Sequence, residues 1–351
     1  MLQYTTQQQT YMRRCIQLAK MGAANVAPNP MVGCVIVHND KIIGQGYHRK
    51  YGQAHAEVNA INSVKNKNLL SESELYVSLE PCAHFGKTPP CADLIIEKKI
   101  KKVYIGCRDS FEKVDGKGIQ KLRNAGIDVA IGLLEDECID LNKRFFTFHN
   151  KKRPYVILKW AQTIDGFIDK TRTLQAPPTI NRISSNLSQK VVHQWRNEEQ
   201  AILIGAQTAI NDNPQLTARL AGNNPVRIVI DRDLSLNKNL NIFDKSAKTL
   251  IFSNIDYNGE QTLDNEIIKI DFTENIAQQI LEKLYNLNIQ SVIIEGGTKT
   301  HNLFINSNLW DEARIFVGNK IFGSGTKAAQ IQGTLKFETD LEDTKLLIFK
   351  P

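Results

Sequence analysis

The stretch that decides the reading of this chain is Glu80-Pro81-Cys82-Ala83-His84-Phe85-Gly86-Lys87-Thr88-Pro89-Pro90-Cys91, taken together with His55-Ala56-Glu57 upstream. HAEVNAINSV from His55 has helical spacing, ELYVSLE before Pro81 is strand-like, and CADLIIEKK from Cys91 reads as a helix following Pro89-Pro90. One imidazole and two thiolates are three good zinc ligands, and three protein ligands leave the fourth position for water. A bound cation lowers the pKa of that water. Helix N-termini also favour deprotonated sulfur. Glu57 lies two residues from His55 on the same first helical turn, so it can approach the water without ligating the metal. A carboxylate there can take the water's proton and pass it to a leaving group. The remaining cysteines, Cys15, Cys34, Cys107 and Cys138, fall in or beside apolar segments and read as small buried hydrophobes.

Outward from this loop, helix and strand signals alternate. TYMRRCIQLAKMG is helical to about Gly22, MVGCVIVH and KIIGQGYH are strands joined by Asn39-Asp40, and further α–β units follow to IDVAIG. A hairpin followed by such units predicts a sheet covered by helices. ECIDLNKRFFTFHN reads as one helix, and KKRP at 151–154 marks a boundary between domains over 1–150 and 151–351. In the second domain the spacing predicts strands over PYVILKWAQTIDGFID, AILIG, PVRIVID, SVIIE and DEARIFVGNKIFG, and helices over SNLSQKVVHQWRNEEQ, NIAQQILEKLYNLN and THNLFINSNL. At 351 residues, 42% hydrophobic and 23% charged, the chain is ordinary globular protein. No apolar run approaches the roughly 18 residues of a membrane span. MLQYTTQQQT lacks the basic head and apolar stretch of a secretory signal, so a cytoplasmic location is expected. The net charge of +7 is spread in short runs such as Lys101-Lys102, which suits an anionic small substrate and does not form a nucleic-acid stripe.

H-x-E with a downstream P-C and a second Cys is the zinc-deaminase signature, here with eight residues between the thiols in place of the usual two. With NPMVGCVIV, GYH, HAEVNAI and EPCAHFGKTPPC in this order, the chain resembles the bifunctional deaminase–reductases of bacterial riboflavin biosynthesis over essentially its whole length. The resemblance implies an α/β protein with a cytidine-deaminase-like N-terminal domain and a dihydrofolate-reductase-like C-terminal domain. The first would hydrolyse an amino group from 2,5-diamino-6-(5-phosphoribosylamino)pyrimidin-4(3H)-one. The second would reduce the ribosyl group of the product to ribityl with NADPH. Carried onto this sequence, His55, Cys82 and Cys91 would bind zinc and Glu57 would shuttle the proton. Asn29 would hydrogen-bond the pyrimidine, and His48, His84 and Lys87 would line the substrate pocket. A homo-oligomer, dimer or tetramer, is expected, with no nucleic-acid or membrane partner.

The second half has no G-x-G-x-x-G after its first strand, but SVIIEGGTKTHNLF is a strand–Gly–Gly–helix turn of the kind that cradles phosphate. By the same resemblance, Gly297, Thr298, Lys299, Thr300, Thr208, Asp212, Ala161, Arg182 and Arg232 would contact the cofactor. Lys159, Ser184, Arg196, Leu216, Arg219 and Glu295 would face the substrate. Arginine suits phosphate because its planar fork donates parallel hydrogen bonds. The chain departs from the family at Thr163-Ile164-Asp165-Gly166, where Ser before Leu-Asp-Gly is usual, and at Arg182-Ile183-Ser184-Ser185, where Trp-Ile-Thr-Ser is common. The divergent segment 171–185 leaves open a deaminase-only enzyme with a degenerate reductase domain. A tRNA or nucleoside deaminase is the other alternative, and the low aromatic content of 7% weighs against the base-stacking surface it needs. A regulatory zinc protein would have no use for Glu57 beside an open ligand position.

Overall fold

In the computed structural model, residues 4–85, 89–109, 116–172, 177–219, 222–257 and 264–351 are described. The chain divides into two compact units, Met1–Lys152 and Arg153–Pro351. None of the described helices is long and apolar enough to cross a membrane.

The first unit runs α1 (Thr6–Lys20), β1 (Gly33–His38), β2 (Lys41–Tyr47), α2 (Ala56–Ser63), β3 (Glu74–Leu79), α3 (Cys91–Glu97), β4 (Lys102–Cys107), α4 (Lys117–Asn124), β5 (Asp128–Ile131), α5 (Glu135–Leu141) and α6 (Lys143–Lys151). The helix expected near Thr10 begins earlier, because Thr5 and Gln8 form a reciprocal capping box. Asn39 and Asp40 have φ of +46° and +58°, the left-handed pair that a two-residue hairpin requires. The sheet order is β2-β1-β3-β4-β5, with β1 antiparallel to both neighbours and β3, β4 and β5 parallel. Alternation along the strands sends Cys34, Ile36, Val77 and Val103 to one face, against Ala60 and Ile61 of α2 and Ile95 of α3. Val35, Val37, Tyr76 and Tyr104 go to the other, against Met12, Cys15 and Ala19 of α1 and Phe145 of α6. Cys15, Cys34, Cys107 and Cys138 are buried in these layers, as their apolar settings predict.

The segment 137–150 is two helices, not one. Asn142 breaks it: its side chain accepts from the Met31 N–H at 2.8 Å and donates to the Met31 carbonyl at 2.9 Å. That exchange holds the backbone at φ −107°, ψ 23° and ends α5.

The second unit runs β6 (Tyr155–Thr163), β7 (Phe167–Asp169), α7 (Asn186–Glu198), β8 (Ala201–Gly205), α8 (Ala206–Asp212), β9 (Val226–Ile230), β10 (Thr249–Ser253), β11 (Asn265–Lys269), α9 (Ile276–Asn286), β12 (Ser291–Ile294), α10 (Thr298–Asn306), β13 (Glu312–Gly318), β14 (Thr326–Lys327), β15 (Thr334–Leu341) and β16 (Thr344–Lys350). Its main sheet has the order β11-β10-β9-β8-β12-β6-β13-β16-β15. β11 through β13 are parallel, and the closing hairpin β15–β16 is antiparallel. The near-continuous apolar strands AILI and SVII are buried on both faces, as parallel strands with covered faces must be. α9 and α10 cover one face through Ile280, Leu284 and Phe304, while α7 and α8 cover the other through Val192 and Ala209. The Arg227 guanidinium is fully buried, pairing with Asp244 at 2.7 Å and capping backbone carbonyls of Asn241, Asp244 and Ala247.

The chain runs outward from β6 through β8, β9, β10 and β11, then returns to insert β12 between β8 and β6. Strand order therefore reverses around β12, and the carboxyl ends of β8 and β12 flank a crevice where open α/β sheets bind ligands.

Candidate active sites

In the first unit the three expected ligands meet. His55 caps the start of α2, Cys82 follows β3, and Cys91 begins α3. Their donor atoms lie within 4.8 Å of one another. His55 Nδ1 is 3.5 Å from Cys82 Sγ and 3.3 Å from Cys91 Sγ. Tetrahedral zinc with ordinary bond lengths places N and S about 3.6 Å apart, so the cluster fits the ion. The Cys91 N–H donates to Cys82 Sγ at 3.3 Å and the Ala92 N–H to the Cys82 carbonyl at 3.1 Å, so the start of α3 faces one sulfur. The Cys91 thiol hydrogen-bonds Cys82 and, with His55, holds Cys82 down at about 4, while that same bond and burial push the Cys91 thiol up.

Glu57 is 3% exposed, on the first turn of α2. Burial pushes its carboxyl up to about 7, with the His55 charge acting in the opposite sense. His48 is also buried, and burial lowers its pKa. Its Nδ1 faces the Ala54 carbonyl at 3.1 Å, so Nδ1 carries the hydrogen and Nε2 accepts from Asn29 Nδ2 at 3.2 Å. The His48 ring meets His55 edge-on, with centroids 5.4 Å apart. Asn29, His48, His55, Glu57, Cys82 and Cys91 therefore form one constellation. His84 is exposed on the loop between the thiols, and Lys87 lies outside the described residues.

Glu80 belongs to this site's frame, and the sequence reading passed over it. It is 4% exposed and accepts from the N–H groups of Asp109, Gly116, Gly118 and Ile119 at 3.3, 3.1, 3.0 and 3.2 Å. The carboxylate fastens the start of α4 beneath the strand end that carries Cys82. The signal was an acidic residue closing an apolar strand immediately before Pro-Cys. Gly118 permits the close approach, since a Cβ there would stand 1.9 Å from the Pro81 carbonyl oxygen. Gly118→Ala should therefore destabilise the first unit by at least about 2 kcal/mol and weaken zinc retention. Melting temperature and metal content after dialysis measure both.

In the second unit, Lys159 on β6, Arg196 on α7 and Glu295 just past β12 converge. Arg196 donates to both Glu295 oxygens at 3.1 and 2.8 Å, and Lys159 Nζ stands 3.5 Å away. Burial opposes its charge, yet the Arg196 guanidinium and Lys159 ammonium hold the Glu295 carboxyl at about 2. Burial likewise lowers the Lys159 pKa, with Glu295 opposing. His301, unread in the sequence, is held near 4 by burial; its Nε2 lies between the carbonyls of Lys159 and Ile294 at 3.2 and 3.0 Å and pins α10 to both strands.

The glycine turn opens at the end of β12. The Gly297 N–H donates to Thr208 Oγ1 of α8 at 3.1 Å, and the Thr298 hydroxyl donates to the Lys327 carbonyl. Cβ atoms at Gly205 and Gly296 would lie 2.6 and 2.5 Å from Thr300 side-chain atoms. Thr300 is thus wedged between the two strand ends, shaping a cradle with small walls on the crevice side. Leu216 points into the core with Ile202, Ile204 and Val229. Ala161 and Ser184 are half-buried, while Lys299, Arg219, Arg232 and Arg182 are exposed. The Arg182 carbonyl accepts from Lys320 Nζ at 2.6 Å. Asp212 is bound by Arg172 at 3.0 Å, a partner the sequence reading did not single out.

Comparison with known proteins agrees with this geometry. Residues 5–107 match the cytidine and deoxycytidylate deaminase zinc-binding region, and residues 154–350 match the RibD C-terminal domain. Riboflavin biosynthesis protein RibD of Aquifex aeolicus is 38% identical over 339 residues, 95% of this chain and 93% of that protein. Its counterpart in Bacillus amyloliquefaciens is 39% identical over 331 residues, 92% of this chain and 87% of that protein. The crystal structure of a diaminohydroxyphosphoribosylaminopyrimidine deaminase/5-amino-6-(5-phosphoribosylamino)uracil reductase from Thermotoga maritima superposes with a TM-score of 0.89. It is 38% identical and covers 98% of this chain and 99% of its own.

Proposed function

The chain belongs to the RibD family and is a bifunctional deaminase and reductase of riboflavin biosynthesis; from that premise we propose its substrate, cofactor and the roles of its residues. The observation that carries the first activity is the His55–Cys82–Cys91 cluster with Glu57 buried beside it. The substrate is the phosphoribosylamino-diaminopyrimidine, which loses an amino group as ammonia. A zinc ion held by His55, Cys82 and Cys91 would supply Lewis acidity and make the attacking water acidic near neutral pH. Glu57 accepts that water's proton and returns it to the departing amino nitrogen. Neutral His48 receives an N–H from Asn29, which fixes the amide so that its oxygen reads the pyrimidine. His84 and Lys87 complete the substrate contacts, with Lys87 neutralising the phosphate.

In the second unit the Gly296-Gly297 turn would hold NADPH, which would supply the hydride for reduction of the ribosyl group. The Gly cradle, the Thr208–Gly297 contact and the start of α10 fit a pyrophosphate-bearing cofactor. Lys299, Thr298, Ala161 and Arg182 line its path, and Arg232 serves the ribose phosphate. Lys159, made more acidic by burial, delivers a proton to the sugar oxygen as hydrogen is added at carbon. Arg196 orients Glu295, while Arg219, Ser184 and the Leu216 backbone face the substrate. The enzyme works in the cytoplasm as a homo-oligomer.

The test is incubation of purified protein with the diaminopyrimidine ribotide, with and without NADPH, followed by mass spectrometry. Exchange of an amino for an oxo group is expected in both arms, and addition of a hydrogen pair only with NADPH. Prior treatment with a chelator should abolish ammonia release and leave NADPH oxidation on the deaminated substrate intact, and added Zn²⁺ should restore the first step. Ammonia release that survives complete metal removal would overturn the assignment.

A further inference from the structure

Residues on either side of 173–176 are tied to α8 by one arginine. Arg172 Nε and Nη2 bind the two Asp169 oxygens at 2.6 and 3.2 Å. Nη2 also reaches Asp212 Oδ1 at 3.0 Å and the Thr179 carbonyl at 2.8 Å, and Nη1 donates to the Asn211 carbonyl at 3.0 Å. The Thr179 N–H donates to the Asn211 carbonyl at 2.9 Å, and Asn181 Nδ2 to Asp169 Oδ1 at 2.6 Å. The parts of the segment on either side of 173–176 thus meet the carboxyl end of α8 through Arg172. Each nitrogen of its guanidinium is engaged, so it works through its neighbours and is not placed to grip a ligand itself.

The face it reaches borders the cofactor crevice. Thr208 lies one helical turn before Asp212, on the same side of α8, and Thr208 receives the Gly297 N–H. Asp212 faces two charged groups, Arg172 and the like-charged Asp169. Burial raises its carboxyl to about 6, Arg172 pulls it down, and Asp169 pushes it up. A carboxylate accepts hydrogen bonds from ribose hydroxyls through both oxygens, whereas the protonated acid offers one oxygen as a donor.

We infer that Arg172 is a positioning residue for the cofactor, holding the Asp212 carboxylate one helical turn from Thr208 and fastening Asp169 and Thr179 to the same end of α8. It rests on the NADPH site proposed above.

NADPH fluorescence titration of the full chain tests it, with wild type, Arg172→Ala and Arg172→Lys compared on both sides of neutral pH. Arg172→Ala should weaken NADPH at neutral pH on the order of tenfold or more, because two like charges are left facing each other in a half-buried place. The pH dependence of binding should move to higher pH as Asp212 takes up a proton more readily. Arg172→Lys keeps the charge without the fork, so it should restore the pH dependence more fully than the affinity. At saturating NADPH, kcat should stay near wild type while KM for NADPH rises, and ammonia release serves as the folding control. A wild type that binds NADPH, with both variants matching its affinity and pH dependence, overturns this inference alone. A folded wild type that binds no NADPH overturns the cofactor reading and the inference with it.

Discussion

Glu57→Gln is expected to lower ammonia release by about 10²- to 10⁴-fold, the usual worth of a positioned acid–base group, while leaving bound zinc unchanged. The substitution is nearly isosteric, and the site can accept it because Glu57 is not among the three clustered donors. What is removed is the atom that takes and returns a proton. Burial is the reason it suits that task, since a carboxyl pushed up to about 7 can both accept and release a proton near neutral pH. Metal content, ammonia release and NADPH oxidation on pre-deaminated substrate should be measured on the same preparation. Full metal occupancy with unimpaired deamination would remove Glu57 from the mechanism. Loss of metal together with activity would instead make it a structural support of the cluster.

Glu295→Gln should have the largest effect on the second unit. It leaves the Arg196 guanidinium and the Lys159 ammonium, with side chains only 13% and 14% exposed, facing each other without a counter-charge. Removing one partner from such a buried group costs about 3 kcal/mol or more, and reductase turnover should fall with it. The pH dependence has a defined sign. The folded pKa of about 2 lies below the ordinary 4.5, so the stabilisation is present above about 4.5 and is lost as pH falls toward 2. Wild type should therefore lose stability through that acid window, and the variant should lack this component, so that the two converge at its lower end. Tryptophan fluorescence reports the right unit, because Trp160, Trp195 and Trp310 all lie beyond residue 152. Equal unfolding midpoints at neutral pH would show that the three groups are not energetically linked.

How much could be read in advance follows the range of the interactions. Strands such as AILIG and SVIIE and helices such as NIAQQILEKLYNLN declare themselves through periodicity and caps within a few residues. TLIFS at 249–253 and the closing hairpin 334–350 went unread, although the former is a short apolar run of strand type. β15 is exposed on most of its length, so little apolar alternation marks it. The split at Asn142 needed Met31, more than a hundred positions away, to become visible. The family resemblance implied that Leu216 faces the substrate; its side chain serves the core.

The candidate metal cluster was legible in the sequence alone. Which atoms can hold the ion is a property of His and Cys themselves, and their places at a helix start, a strand end and another helix start follow from local signals around each. The pairing of strands that carries Lys159 to Glu295, the Glu80 clamp under Cys82 and the bridge from Arg172 to Asp212 were decided only in the tertiary structure. Each is a charge whose partner lies on another element. A charged side chain reads the same in a sequence whether it faces water or is buried against its counterpart, and only the folded surroundings tell the two apart.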